Sequence, residues 1–255
     1  MAEIISKFQN KNSQSVIIKG DGRKLPFVED YFFHAIVTDH PWMAPKSNNG
    51  GNRSFADYDC FEYTLEDFKE KARVLKNGCF LVEVLPSENA ENFRYLYRIK
   101  DLAEQAGFQY YAKIPWKKGT FVSNTGRCSK NTEDIMFFTK GKARSLRPDV
   151  KKNQIYTYRE NFMSGTKKML PTNFDIQAVG RNEKIHQSEK PVHLYKQILD
   201  LITLPNEKIL DQFAGSGALG IAALQNGYNS VLIEKDNNAI NNIIKRFENG
   251  GYEYV

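Results

Sequence analysis

The chain has little cysteine. Cys60, Cys79 and Cys128 are the only three in 255 residues; they are widely spaced and form no Cys-x-x-Cys pair. An odd, scattered set excludes a disulfide framework and a cysteine zinc site, and it reads as reduced, structural thiols of an intracellular protein. Histidine is scarce too, at four. No carboxylate or cysteine cluster stands beside His186 or His193, so no metal is expected. No apolar run approaches the roughly 18 residues of a membrane helix, and Met1 to Ser13 lacks the apolar core of a signal peptide. There is no internal repeat and no long low-complexity tract. The apolar share of 41% over 255 residues is enough for a real core, so residues 1–255 read as one large domain carrying an insertion.

Positive charge is concentrated in one place. The net charge is +6, yet the segment from Lys140 to Lys184 holds 11 Lys or Arg against 4 Asp or Glu, which leaves 25 against 26 for the rest of the chain. This segment has no sustained period and interleaves Tyr156, Tyr158, Phe162 and Phe174 with its charges. A solvated loop would look like this. So would a surface that neutralises phosphates and stacks on bases. On the second reading, Lys117, Lys118, Arg127, Lys151, Lys152, Lys167 and Lys168 are the candidate nucleic-acid contacts.

From residue 15 to 140 the pattern alternates strand and helix, as in an α/β protein. Ser15–Lys19 reads as a strand ending at Gly20-Asp21-Gly22, where the acid could reach a ligand or bond its own turn. Phe32–Val37 is apolar almost throughout, as a buried parallel strand should be, and runs into Asp39-His40-Pro41-Trp42. Residues 43–59, rich in Asn, Gly and Ser, suit a lid. A helix starts at a Thr64/Asp67 capping box and runs to Leu75. Cys79–Leu85 is a strand, Glu88–Gly107 an amphipathic helix, and Phe108–Ile114 and Glu133–Thr139 are further strands. Near the end, Pro191 fits the first turn of a helix over Leu194–Ile202.

The most informative stretch comes late. Lys208-Ile209-Leu210 approaches Asp211-Gln212-Phe213-Ala214-Gly215-Ser216-Gly217, a helix follows, and Ser230–Ile233 makes a strand ending at Glu234. Strand, glycine turn and helix present backbone N–H groups to an anionic or polar ligand. A carboxylate at the next strand's tip can accept from two ribose hydroxyls. Gly215 to Gly220 matches the dinucleotide fingerprint, but only about 35 residues follow, too few to complete a doubly wound sheet of the usual five or more strands. The missing strands must lie upstream, so the expected fold is an α/β, Rossmann-like sheet in circularly permuted order with its cofactor half, 185–255, last.

Taken together and in this order, Asp39-His40-Pro41-Trp42, Glu189-Lys190-Pro191 and Asp211-x-Phe213-x-Gly215-x-Gly217 resemble the β-class amino-methyltransferases of DNA, over Val16 to about Arg246. The resemblance implies S-adenosyl-L-methionine as cofactor, duplex DNA with a flipped base as substrate, and direct methyl transfer to an exocyclic amine. It implies that Asp39, His40, Pro41 and Trp42 form the catalytic tetrad. Phe213, Ala214, Gly215, Ser216 and Gly217, with Asp211, would cradle the methionine part of the cofactor. Glu234 would take its ribose, Asp21 would face its adenine, and Lys190-Pro191 would pack beside its carboxylate. Residues 140–184 become a short target-recognition insertion. A cytoplasmic enzyme of a bacterial or phage-infected cell, a homodimer and a cognate restriction enzyme are also consistent with the family. Where cytosine-N4 members more often carry Ser, Asp39 favours adenine N6. Cytosine N4, RNA amino-methylation, and a binding protein with a vestigial site remain alternatives. His40 stands where the family usually has proline. The expectation from sequence is that His40→Pro keeps activity, and that a loss beyond about a hundredfold (roughly 2.7 kcal/mol) would reveal a role for the imidazole.

Overall fold

The computed structural model describes residues 2–42, 60–119, 124–125, 128–129, 131–146, 168–180, 182–186 and 188–255. Its strands in chain order are β1 (Glu3–Asn10), β2 (Ser13–Lys19), β3 (Phe33–Thr38), β4 (Leu75–Pro86), β5 (Phe108–Lys117), β6 (Asn124–Thr125), β7 (Cys128–Ser129), β8 (Thr132–Lys140), β9 (Phe174–Asp175), β10 (Lys208–Asp211), β11 (Asn229–Glu234) and β12 (Glu253–Tyr254). The helices are α1 (Leu65–Val74), α2 (Phe93–Gln105), α3 (Val192–Ile202), α4 (Ala218–Asn226) and α5 (Asn237–Asn249). Apart from the β6–β7 pair, the strands form one sheet in the order β12-β1-β2-β11-β10-β3-β4-β8-β5-β9. Its centre, from β2 to β4, is parallel, and β1 and β8 pair antiparallel on either side. The two C-terminal strands, β10 and β11, therefore sit between β2 and β3. That placement brings the late glycine turn beside the early Asp39.

The side-chain period of two divides each central strand between two cores. In β4, Phe80, Val82 and Val84 face α3 and α4, while Cys79, Leu81 and Leu85 face α1 and α2. Glu83 falls on the second face, fully buried, and a carboxylate there demands a cation. Helix α1 supplies it from Lys71, in the same buried stripe as Phe68 and Ala72. The helix is started by the expected capping box, with Asp67 accepting from the Thr64 amide at 2.7 Å.

Several boundaries differ from the sequence reading. The N-terminal segment forms a strand, β1, between β12 and β2, that no sequence signal had marked. Helix α1 ends at Val74, because Leu75 already pairs with Phe33 of β3. Helix α2 starts at Phe93, since Glu88–Asn92 is a turn in which the Asn92 side chain donates from Nδ2 to the Ser87 carbonyl at 2.9 Å. Strand β5 continues through Pro115 to Lys117, and Trp116 is buried with its indole N–H donating to the Ile176 carbonyl at 2.7 Å. Pro191 is the residue that caps α3 and not its first-turn residue. Of the basic segment, residues 147–167 lie outside the described residues, as does the lid-like stretch 43–59. Among the described residues no helix is long and apolar enough to cross a membrane, and no cluster of His, Cys, Asp or Glu could hold a metal.

Candidate active site

Because the central strands are parallel, their carboxyl ends share one edge, and the candidate residues gather there. Lys19 pairs with Glu234 across β2 and β11, and Asp211 with Leu232 across β10 and β11. The next strand, β3, hands the chain to Asp39. Thr38 Oγ1 at its tip donates to Asp211 Oδ1 at 3.2 Å.

The turn after β10 is tightly held. Gly217 caps α4 at φ 70°, and a Cβ there would approach Ile243 Cγ2 to 2.8 Å, so conformation and packing both require glycine. The Gly215 amide donates to Glu234 Oε2 at 2.9 Å, and the Lys235 and Asp236 amides donate to Oε1 at 2.8 and 3.0 Å. Glu234 thus ties the turn to β11 through its carboxylate. The Ala214 amide bonds the Ile233 carbonyl, and the Ser216 carbonyl accepts from Arg246, which also pairs with Glu189 at 2.8 Å. Asp211 is buried, accepts from the Phe213 amide at 3.1 Å, and has no ion pair among the described residues. Burial pushes its carboxyl up to about 7. The Phe213 ring lies 5.4 Å from Phe61, whose amide bonds the Pro41 carbonyl at 3.1 Å. Asp21 is exposed and accepts from the Arg23 amide at 3.0 Å, so it does bond its own turn while one oxygen stays open.

On the tetrad side, Asp39 Oδ2 lies 2.5 Å from the Lys190 ammonium, which also stands 3.5 Å from Glu133 Oε2; all three side chains are at least 85% buried. Burial pushes the Asp39 carboxyl up and the Lys190 charge opposes it. Glu133 is held below its ordinary range because Lys190 and Lys118 outweigh its burial. Asp39 Oδ1 is buried and has no hydrogen-bond partner among the described residues. The His40 carbonyl accepts from the Trp42 amide at 2.8 Å, and Trp42 is half-buried.

Lys190, expected beside the cofactor, has its ammonium between the Asp39 and Glu133 carboxylates, and Glu189 reaches the glycine turn through Arg246. The predicted nucleic-acid lysines are not a free row of charges. The Lys118 ammonium is paired with Glu133, and Lys168 donates to the Thr203 carbonyl at 2.6 Å. Lys117 is exposed, 3.8 Å from Asp175. Arg127, Lys151, Lys152 and Lys167 lie outside the described residues.

Sequence reasoning missed Glu133, Lys71, Glu83, Tyr63 and Tyr95. A signal existed for two of them: Glu83 interrupts an apolar strand, and Lys71 occupies a core position of an amphipathic helix.

A parallel sheet whose carboxyl edge carries a glycine turn, a strand-tip acid for a ligand and an orphaned buried acid defines an α/β protein with a ligand-transforming site. Sequence comparison gives the family. Residues 33–246 match the model of the N6 and N4 DNA methylases, described as DNA methylase, and the chain belongs to that family. It is 26% identical over 212 residues to the type II methyltransferase M.HpaI of Haemophilus parainfluenzae, covering 81% of this chain and 65% of that protein. To the type II methyltransferase M.HinfI of Haemophilus influenzae it is 25% identical, covering 96% and 70%. Among solved structures, the M1.HpyAVI–SAM complex superposes with a TM-score of 0.64 at 22% identity, over 91% of this chain and 98% of the other. The cytosine-N4-specific PvuII DNA methyltransferase superposes at 0.66 and 16%, over 96% and 90%. These likenesses confirm the Rossmann-like α/β fold.

Proposed function

We propose that this chain methylates the exocyclic N6 amine of adenine in DNA, with S-adenosylmethionine as methyl donor and the target base turned out of the duplex. The observation that carries the reading is Asp39 Oδ1. A buried carboxylate oxygen without a donor is costly, and here its twin is already committed to Lys190. The missing donor is an N–H of the substrate.

An exocyclic amine is a poor nucleophile because its lone pair is delocalised into the ring. Asp39 Oδ1 takes one N–H and the His40 carbonyl takes the other, which draws the nitrogen towards tetrahedral geometry and frees the lone pair. Trp42 supplies a ring to stack on the extruded base. The nitrogen gains a methyl group and must shed one proton, and Asp39, at its N–H, is placed to receive it. These groups act by positioning and hydrogen bonding.

The cofactor fits the residues at the strand tips. Asp211 is a buried acid with no ion pair among the described residues, so a cationic ligand would relieve it. Glu234 and the exposed Asp21 add carboxylate acceptors at the same strand tips. When bound, S-adenosylmethionine supplies an electrophilic methyl on a sulfonium. Asp211, Phe213 to Gly217, Glu234 and Asp21 would hold it.

The test is tritiated methyl transfer to unmethylated duplex DNA, single-stranded DNA and RNA, followed by digestion to nucleosides. Label in N6-methyladenine that disappears in Asp39→Ala supports the reading. Label in N4-methylcytosine or in RNA moves the substrate. No label with cofactor still bound rejects it in favour of a binding protein.

A further inference from the structure

We propose that His40 is a positioning residue for methyl transfer, anchored by a buried chain of polar side chains that joins the tetrad to the cofactor turn. The proposal rests on the reading of the site as a methyltransferase. Most family members carry proline at this position, where the ring stiffens the turn. This chain lacks that ring and has a side-chain tether in its place.

The imidazole is 1% exposed. Its Nε2 lies 2.5 Å from the Tyr95 hydroxyl on α2, while its Nδ1, 3.6 Å from Glu83 Oε2, has no hydrogen-bond partner among the described residues. The ring packs on Tyr63 with centroids 4.1 Å apart. Tyr63 in turn donates to both Glu83 oxygens, at 3.0 and 3.2 Å. Glu83 Oε1 is 3.0 Å from the Lys71 ammonium, which also donates to the Gln212 side-chain carbonyl. Gln212 then donates from its amide nitrogen to the Gly22 carbonyl at 2.6 Å. A Cβ at Gly22 would sit 1.9 Å from the Gln212 carbonyl oxygen, so the two loops touch at backbone distance. His40, Tyr63, Lys71, Glu83 and Gln212 are all 2% exposed or less.

Hydrophobic residues of similar volume would fill this volume with equal or greater stability, since a buried ion pair contributes little net stabilisation. What the polar chain adds is one fixed arrangement. It holds the backbone of His40, whose carbonyl is one of the two amine acceptors, in register with the turn that follows β10. The imidazole thereby does through side-chain tethers what a proline ring does through the backbone, and the expectation that His40→Pro is neutral is replaced by its opposite.

The experiment measures single-turnover methyl transfer at saturating DNA and cofactor, with cofactor affinity by calorimetry, for wild type, Tyr95→Phe, His40→Pro and the double variant. Tyr95→Phe removes only the hydroxyl that meets Nε2 and is expected to slow transfer about tenfold, and His40→Pro about a hundredfold. The double variant should be no slower than His40→Pro alone, with cofactor affinity within about threefold of wild type throughout. Transfer by Tyr95→Phe at the wild-type rate overturns the proposal whether or not His40→Pro folds. So do multiplicative losses in the double variant, or losses that track weakened cofactor binding. A wild-type chain that labels no nucleic acid overturns the methyltransferase reading, and this proposal with it.

Discussion

Replacing Lys190 with methionine keeps the length of the side chain and removes one charge. In the folded protein that charge lies 2.5 Å from Asp39 and 3.5 Å from Glu133, among side chains 7%, 15% and 14% exposed. Glu133 retains Lys118, whereas Asp39 keeps no cation. Removing one partner of a buried pair costs about 3–5 kcal/mol. That cost is met by raising the Asp39 carboxyl further, since the cation that opposed its burial is gone. Burial already pushes that carboxyl up, and loss of the cation acts in the same direction, so a larger share of the variant carries Asp39 protonated. A protonated Asp39 loses the acceptor that the amine needs. Transfer should therefore fall by about ten- to a thousandfold at pH 7 and recover close to tenfold per unit as pH rises. The stability change follows the same sign. A raised folded-state pKa leaves the acidic range unaffected, where Asp39 is protonated folded and unfolded alike, and the variant weakens as pH rises through the new value. Single-turnover rates over roughly pH 6 to 9 decide the matter. A variant with the wild-type rate at pH 7, or with a loss that does not change with pH, would refute the role assigned to Lys190.

Asp211 gives a second pH dependence. Its carboxyl moves from 3.8 to about 7 on burial, so its contribution to the free protein's stability is fully present below about pH 4 and is lost as pH rises through 7. A cationic cofactor favours the ionised form, so affinity should increase with pH across this range and binding should release a proton. Calorimetry in two buffers of different ionisation enthalpy measures that proton, and Asp211→Asn should abolish it. For the buried ion pair, Lys71→Met leaves Glu83 uncompensated and should destabilise the fold by about 3–5 kcal/mol, seen as a Tm lower by roughly 10 °C. Lys71→Met/Glu83→Gln should lose less, because the neutral amide still accepts from Tyr63. An equal or larger loss in the double variant would show that the charge at Glu83 is not what Lys71 compensates.

Much of the fold was legible locally. The apolar run before Asp39 marked a buried parallel strand, and the Thr64/Asp67 spacing marked the start of α1. The glycine turn after Asp211 was legible as a turn, but the amides of Phe213, Ala214, Gly215 and Gly217, expected to face a ligand, bond within the protein. Each of these signals lies within a few residues, where side-chain period, capping and glycine geometry act. The first strand was not legible, because a strand of mixed polarity carries no periodic signal. Neither was the end of α1, where pairing with β3 overrode helix propensity at Leu75.

What the sequence by itself determined is the kind of elements present and, through the order of its three motifs, the family. Tertiary structure alone decided which residues serve them. Lys190 reaches Asp39 across 151 positions, Lys71 reaches Gln212 across 141, and Gln212 reaches Gly22 across 190. No local pattern encodes such pairings. They arise because parallel strands deliver their carboxyl ends to one edge of the sheet, and because a charge buried there must be met by whatever opposite charge the packing brings within reach.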